Sequence, residues 1–185
     1  MNHQTKNKIT RTPQLSQTEW AYLAGLIDGE GSISIARVKK NRGKLGIYHL
    51  LHPVITVSNT DTKMMDWLGQ KIDTKINSRQ RNIGNKYNPH TGRLFREVKI
   101  SYQTQVWGYN CLPILEGILP YVITKKKHTE IVNQFIKSRL IQIKKGAIRA
   151  HYIPEEIALW EQVRILNLKS SWQLERLKVQ KEQSK

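Results

Sequence analysis

Two carboxylates, Asp28 and Glu30, lie close together in a glycine-rich stretch near the start of the chain. Glu30 is flanked by Gly29 and Gly31, so little side-chain bulk surrounds its carboxylate. A carboxylate together with neighbouring backbone carbonyls is a ligand set that suits a hard divalent cation. The alternative for Glu30 is a solvated turn residue that holds no ligand.

A helix is predicted to position this acidic stretch. Ser16 and Glu19 have the spacing of a capping box, and Leu15 and Trp20 occupy the two positions of a hydrophobic staple. We therefore expect a helix over about residues 17 to 28, followed by a small acidic turn and then a strand.

One face of that helix carries only small residues. Ala21, Gly25 and Gly29 recur at every fourth position, which places them on the same face. Each glycine costs the helix roughly 1 kcal/mol relative to alanine, so a compensating contact is expected. Close packing against a partner helix supplies such a contact.

The nine residues Leu23–Gly31, LAGLIDGEG, resemble the signature of the LAGLIDADG homing endonucleases. Gly29 stands at the seventh position and Glu30 at the eighth, which keeps a small residue and a carboxylate where the signature has them. The sequence holds one copy of this signature. In that family a single-motif chain resembles half of an active site, which implies a homodimer whose two motif helices pack together at the twofold axis. The implied interface residues are Ala21, Gly25 and Asp28.

Composition and charge favour a nucleic-acid partner. The 185 residues, 38% of them hydrophobic, can form one sizeable core with appendages. The net charge of +17 implies a polyanionic partner. Nucleic acid is favoured over a membrane surface because lysine and arginine occur in every segment rather than on one amphipathic helix. The alternative is a basic protein whose charge serves only solubility.

Several other classes of protein are disfavoured. The single cysteine, Cys111, excludes an internal disulfide and a cysteine-cluster metal site, and its apolar neighbours suggest a buried structural thiol. No apolar run approaches the length of a membrane span, and residues 1–12 lack the core of a signal peptide. We therefore expect an intracellular protein without a membrane partner, in a chloroplast, a mitochondrion or a bacterial cytoplasm.

The remaining patterns predict two strands, a helix, two more strands and then a series of helices. Strands are expected from Ser32 to a turn near 41–43, over 47–58, over 75–81 and over 98–105. Helices are expected over 62–72, 107–118, 126–143 and 154–168, with a further one from Ser171. Pro53 fits an edge or a bulge. The alternation of the first strand blurs after Ala36, through a bulge or because its core contact ends.

This order of elements predicts an α+β fold in which helices cover one face of an antiparallel sheet. The resemblance implies the αββαββα core and saddle-shaped sheet of the homing endonucleases, followed by C-terminal helices. We divide the chain into a flexible basic tail at 1–14, a DNA-binding and catalytic domain at 15–145, and a helical extension at 146–185. The extension is interpreted as packing or as accessory DNA contact.

The uncovered face of the sheet is predicted to bind double-stranded DNA. A twisted antiparallel ribbon fits the major groove, where Arg or Lys can pair with guanine and Asn or Gln with adenine. Phosphate contacts are expected from Lys39, Lys40, Arg42 and Lys44. The predicted DNA contacts are Ser32, Ser34, Arg37, Lys39, Lys40, Arg42, Thr56, Lys75, Asn77, Arg79, Arg81, Lys99, Ser101 and Gln103. An ordinary half-exposed sheet would show the same alternation in the fourth strand.

The resemblance also implies a metal site at the end of the motif. Glu30, helped by the Gly29 carbonyl, is the expected metal ligand. Asp28 is expected to cap or brace the interface, and a direct bond to metal is the alternative for it. Two or more Mg2+ ions are expected per dimer, with Ca2+ supporting DNA binding without cleavage.

Three further residues are expected near the scissile phosphate. Asn59 and Lys63 stand where single-motif family members usually have Gln and Arg, so both depart from the family pattern. Lys125, in the segment Pro120–Lys127, corresponds to a lysine that approaches the cleavage site in the family. The alternative for Lys125 is one more cation in a solvated run.

These observations predict a homodimeric, magnesium-dependent, site-specific endonuclease that cuts both strands of a long pseudo-palindromic DNA target. One alternative is a catalytically inactive DNA-binding protein, or an intron maturase that binds intron RNA, on the same scaffold. A nucleic-acid-binding module unrelated to this family is another.

Overall fold

The computed structural model describes residues 12–41, 46–79, 100–146 and 151–168. These residues form five α-helices and one four-stranded antiparallel sheet with the order β1-β2-β4-β3. The elements are α1 (Gln17–Glu30), β1 (Gly31–Asn41), β2 (Ile47–Asn59), α2 (Thr62–Lys71), β3 (Asn77–Arg79), β4 (Ser101–Trp107), α3 (Cys111–Ile118), α4 (Lys126–Lys144) and α5 (Pro154–Leu166). The predicted α+β class and the predicted order of elements are confirmed.

The first helix begins where the capping box predicts. The Ser16 backbone N–H donates to Glu19 Oε2 at 2.9 Å, and the Glu19 N–H donates to Ser16 Oγ at 3.3 Å. The predicted end at residue 28 is wrong, because α1 continues through Glu30 and joins β1 directly at Gly31. A Cβ atom on Gly31 would lie 2.8 Å from the Ile27 backbone, so only glycine permits this abrupt change from helix to strand.

The first two strands pair without interruption, from Gly31 opposite Val57 to Asn41 opposite Ile47. The blurred alternation of β1 is therefore not a bulge, and burial by the core ends after Ile35. β4 pairs with β2 only from Val54 to Asn59, so the edge of β2 before Val54 has no neighbouring strand in the described chain.

Pro53 lies on this open edge. The backbone N–H of Leu51 points away from β1 and donates to the Tyr152 hydroxyl at 2.8 Å. Backbone N atoms two residues apart in a strand point the same way, so the nitrogen of Pro53 also faces the open edge. Its missing N–H therefore costs no strand pairing, and the edge interpretation of Pro53 is the correct one.

The hydrophobic core lies between the helices and one face of the sheet. Leu23 and Ile27 of α1 pack there with Ile33, Ile55 and Phe135. Buried residues of α2, α3 and α5 complete the same core: Met65, Leu68, Leu115, Ile118, Leu159 and Val163. The last described helix is therefore built into this core, while the proposed boundary near residue 145 stays a prediction.

A buried ion pair fastens α5 to α4. Arg139 and Glu156 are 3% and 0% exposed, and their Nη1 and Oε2 atoms lie 3.3 Å apart. Arg139 also donates to the carbonyl of His151 at 2.7 Å and lies over the Tyr152 ring. Because both charges are buried and hydrogen-bonded, loss of either partner would leave an uncompensated charge in the core.

The structure tests two predictions about the third helix. The expected start at about Trp107 holds only for a 3-10 helix, Gly108–Asn110, which follows the end of β4 at Trp107. The α-helix itself, α3, begins at Cys111. Cys111 is buried as predicted, and burial raises the pKa of its thiol to about 12. The predicted loop at 82–93, the helix from Ser171 and residues 1–11 of the basic tail lie outside the described residues.

No helix in the described part of the chain is both long and apolar enough to cross a membrane.

Candidate nuclease site

The carboxylate of Asp28 accepts four hydrogen bonds from a segment that lies far away in the sequence. Oδ2 accepts the backbone N–H groups of Ile123 at 2.7 Å and Thr124 at 3.2 Å. Oδ1 accepts the Thr124 hydroxyl and the Lys125 backbone N–H, both at 2.9 Å. The end of α1 is thereby joined to the residues that immediately precede α4.

These bonds fix the turn that immediately precedes α4, and they come from another helix. The first N–H groups of any helix lack intrahelical acceptors, and Lys125 at the N-cap position has no side-chain cap of its own. Partial burial raises the pKa of Asp28, but the hydrogen bonds from Ile123, Lys125 and Thr124 together outweigh it, so the net pKa lies below the usual value. Within one chain Asp28 binds the segment before α4, and its expected role at the dimer interface stays a prediction.

The side chain of Lys125 returns to the same point. Its ammonium Nζ donates to the backbone carbonyl of Asp28, in the last turn of α1. Carbonyls in the last turn of a helix lack intrahelical donors and carry partial negative charge, so a cation is stabilised there. Lys125, predicted only from the family resemblance, therefore lies beside the acidic end of the motif.

Glu30 has a different environment. It is the last residue of α1, it is exposed, and within the described residues its carboxylate makes no hydrogen bond or ion pair. An exposed carboxylate beside the last-turn carbonyl of Gly29 fits a hard divalent cation, which prefers oxygen ligands. The described residues contain no cluster of three or more His, Cys, Asp or Glu that could hold a metal ion.

Asn59 lies near this end of the motif, whereas Lys63 is not joined to it. Gly31 pairs with Val57, so the end of β2 at Asn59 runs past the junction of α1 and β1. The Asn59 Oδ1 atom accepts the N–H of Asp61 at 2.9 Å, which leaves its amide N–H groups for other partners. Lys63 is exposed in the first turn of α2, and no contact in the described chain links it to Glu30.

A polar row crosses the uncovered face of the sheet. Residues directly opposite in paired strands share a face, and Ser32, Thr56 and Gln105 lie opposite one another across three strands. The Gln105 amide donates to Thr56 Oγ1 at 3.3 Å. The same register places on this face Ser34, Lys40, Ser58, Asn77, Arg79, Ser101 and Gln103.

Two of the predicted DNA contacts lie on the opposite side. Strand alternation puts Arg37 and Lys39 on the face that carries Ile33, the face covered by helices. The Arg37 guanidinium lies 5.7 Å from the ring centroid of Trp160 in α5, which accounts for its orientation. Lys75 precedes β3 and is exposed. The remaining predicted contacts lie outside the described residues: Arg42, Lys44, Arg81 and Lys99.

The small-residue face of α1 is open in the single chain. Ala21, Gly25 and Gly29 are exposed, and a Cβ atom on either glycine would meet no atom within 4 Å among the described residues. Tyr22, 50% exposed, lies at the side of this face, and its ring packs edge-to-face on Trp67 of α2 at 4.8 Å.

Sequence reasoning did not find Ile123 and Thr124 as partners of Asp28. No local pattern links positions that are 95 and 96 residues apart, and neither residue type is unusual before a helix.

Comparison with known proteins agrees with this architecture. Residues 23–101 match the family model described as LAGLIDADG endonuclease. The homing endonuclease I-CvuI, solved in complex with its target, has a TM-score of 0.56 at 22% identity, covering 84% of this chain and 85% of that chain. The archaeal intron-encoded homing endonuclease I-Vdi141I, complexed with DNA, has a TM-score of 0.56 at 15% identity, covering 83% of this chain and 86% of that chain. The group I intron-encoded homing endonuclease I-CeuI, complexed with DNA, has a TM-score of 0.55 at 14% identity, covering 81% of this chain and 68% of that chain.

No curated protein matches the chain. At identities below 25% the structural likeness carries the fold alone, and the family model matches residues 23–101, the region that contains the signature. The chain, with its one motif helix leading directly into an open antiparallel sheet, is similar to the LAGLIDADG endonucleases over residues 23–101 and has the fold of the solved homing endonucleases.

Proposed function

We propose that this protein is a site-specific DNA endonuclease that acts as a homodimer and uses divalent metal to cut both strands of a long pseudo-palindromic duplex. The observation that carries the proposal is the end of α1. There the exposed carboxylate of Glu30 has no partner among the described residues, and the ammonium of Lys125 is bound to the backbone carbonyl of Asp28 in the same last turn.

The open face of α1 supports the dimer. A second copy of α1 could approach the face formed by Ala21, Gly25 and Gly29 almost backbone to backbone, because no side chain stands between. A twofold axis along that face brings together two copies of the motif end, each with one Glu30. Tyr22, supported by Trp67, would add apolar contact at the side of the interface.

The uncovered face of the sheet supports a duplex as substrate. Its hydroxyl and amide groups are hydrogen-bonding partners for base edges in the major groove, and the net charge of +17 favours a polyanion. The related I-CvuI, I-Vdi141I and I-CeuI were each solved with DNA. A dimer would present two such faces along one target.

The chemistry is assigned to the end of the motif. The Glu30 carboxylate and the Gly29 carbonyl would hold a divalent ion, with two or more ions per dimer, and the ion supplies an activated water and charge neutralisation. Lys125 contributes positive charge against the scissile phosphate. Asn59 and Lys63 are assigned the ordering of water around it, Asn59 through its free amide N–H groups.

The test is cleavage of a randomised duplex library, with sequencing of any cut ends. Mg2+ is the condition in which cleavage is expected, and Ca2+ is the comparison in which binding without cleavage is expected; I-CvuI was solved with its target in the presence of 2 mM Ca. The wild-type chain is expected to cut one pseudo-palindromic sequence with Mg2+, whereas Glu30→Gln retains binding without cutting. Glu155→Gln, the same change at an exposed carboxylate on α5, is the matched control and should cut normally.

Duplexes that are bound but never cut by the wild-type chain would contradict the nuclease and favour a DNA-binding protein. Structured intron RNA is the partner to try if no duplex is retained.

The dimer has its own test. Gly25→Leu places a bulky side chain on the open face of α1 and is expected to convert a dimer into monomers at micromolar concentration, measured by analytical ultracentrifugation. Ala158→Leu, at an exposed position of α5, is the matched control. A Gly25→Leu chain that stays dimeric would place the interface elsewhere.

A further inference from the structure

We infer that Asp28 is a positioning residue for cleavage, which holds Lys125 at the reacting phosphate by fixing the segment that carries it. This inference rests on the proposed function, because it assigns a task to the residue next to the proposed metal site. It separates the two carboxylates of the motif: Glu30 faces the ion and the DNA, whereas Asp28 faces the rest of the chain.

Lys125 is held at both ends by one residue. Its backbone N–H is bound by Oδ1 of Asp28, and its ammonium is bound by the Asp28 carbonyl. A free lysine side chain has many rotamers, and fixing it costs conformational entropy. Here that cost is met on folding, so the ammonium is already in place when the phosphate arrives.

Apolar packing does not hold this segment. Ile123 is 82% exposed, although Val122, the residue immediately before the segment, is 4% exposed. The backbone of Ile123 and Thr124 is instead fixed by hydrogen bonds to Asp28. The position of Lys125 therefore depends on a carboxylate rather than on the core.

The geometry requires a carboxylate in this place. Four donors converge on two oxygens, two on each. An asparagine has one acceptor oxygen, and its NH2 group would face two of the donors without accepting from them. Asp28→Asn preserves the size of the side chain and removes half of the acceptors, so it tests positioning with little change in shape.

The experiment is a double-mutant cycle on the single-turnover rate of cleavage of the cognate duplex with Mg2+. Asp28→Asn is expected to lower the rate by roughly 10- to 100-fold, because misplacement of a reacting group by about 1 Å can cost 100-fold. Lys125→Met should lower it at least as far. The double variant is expected to cut at the rate of Lys125→Met alone, since Asp28 acts through Lys125.

Two further variants separate positioning from general loss of stability. Ser16→Ala removes the cap at the other end of α1 and is expected to lower stability without changing the cleavage rate. Thr124→Val removes one donor to Asp28 and should give a smaller fall in rate, again only when Lys125 is present. DNA binding measured in Ca2+ should change by less than about threefold in all of these variants.

The outcomes are distinct. If Asp28→Asn cuts at the wild-type rate, or slows cleavage by the same factor with and without Lys125, the positioning inference is overturned while the proposed function stands. If the wild-type chain itself cuts no duplex, the proposed function falls and the inference falls with it.

Discussion

Asp28 and Glu30 lie two residues apart in the last turn of the same helix, and their surroundings are opposite. Asp28 is partly buried and accepts four hydrogen bonds from Ile123, Thr124 and Lys125. Glu30 is exposed and has no bonded partner in the described chain. A carboxylate surrounded by donors is committed to the fold, and one without donors remains available to a cation. Two neighbouring acidic residues of one motif can thus differ in role, one binding another segment of the chain and the other remaining exposed.

This difference has an energetic consequence. A hydrogen bond to a charged group contributes about 1.5 to 3 kcal/mol to stability, and partial exposure lowers that amount. Asp28 should therefore contribute to the free energy of unfolding, whereas Glu30 should contribute almost nothing. For the cleavage rate the opposite order is expected: loss of the Glu30 carboxylate should lower it more than loss of the Asp28 carboxylate.

The largest effect is expected for Glu30→Gln on cleavage. Loss of the metal-binding charge should lower the single-turnover rate with Mg2+ by at least about 1,000-fold, because a bound ion is worth several kcal/mol to the transition state. The free energy of unfolding in urea should stay within about 0.5 kcal/mol of the wild-type value, since no contact of Glu30 is lost. A clear loss of stability would show that Glu30 has a structural partner and would remove the contrast with Asp28.

The next effect is the stability lost in Asp28→Asn. The free energy of unfolding is expected to fall by about 2 kcal/mol, because half of the acceptors for the N-terminal segment of α4 disappear. Ser16→Ala, which removes a cap that lies within one turn of its own helix, should cost only about 1 kcal/mol. Equal losses in the two variants would mean that the bonds of Asp28 to the segment before α4 stabilise the fold no more than the Ser16 cap does.

The two ends of α1 also differ in how well the sequence predicts them. The start depends on Ser16 and Glu19, three residues apart, and the capping box was predicted correctly. The end was predicted two residues early, because the glycines around Glu30 suggested a turn. Gly31 is needed instead for close approach to the Ile27 backbone, a contact that no spacing in the sequence reveals.

The site follows the same division. Strand alternation correctly placed Thr56 and Gln103 on the uncovered face, because alternation is a local property. Alternation could not predict the contact of Arg37 with Trp160, because that contact depends on where α5 packs. The meeting of Asp28 and Lys125 joins residues 97 apart, and only the family resemblance pointed to Lys125.

The pH dependence of stability provides a smaller and sharper test. Because folding lowers the pKa of Asp28, the unfolded chain binds this proton more tightly than the folded chain. The stabilisation by Asp28 is therefore fully present above the ordinary value of 3.8 and is lost as the pH falls through the lower pKa of the folded state.

The measurement compares wild type with Asp28→Asn in urea between pH 7 and pH 2. The difference in unfolding free energy should be constant down to about pH 4 and shrink below it, since Asn does not titrate. A difference in unfolding free energy that stays constant down to pH 2 would mean that the charge of Asp28 does not matter for its bonds to the segment before α4.

The smallest effect is expected for Thr124→Val. The hydroxyl of Thr124 supplies one of the four donors to Asp28, so its loss should cost about 0.5 to 1 kcal/mol of unfolding free energy. In the Asp28→Asn background the same substitution should cost less, because the charged acceptor is already gone. If Thr124→Val costs the same in both backgrounds, its effect does not pass through Asp28. The segment before α4 would then be held by something other than the first carboxylate of the motif, and the contrast between Asp28 and Glu30 would reduce to one of exposure.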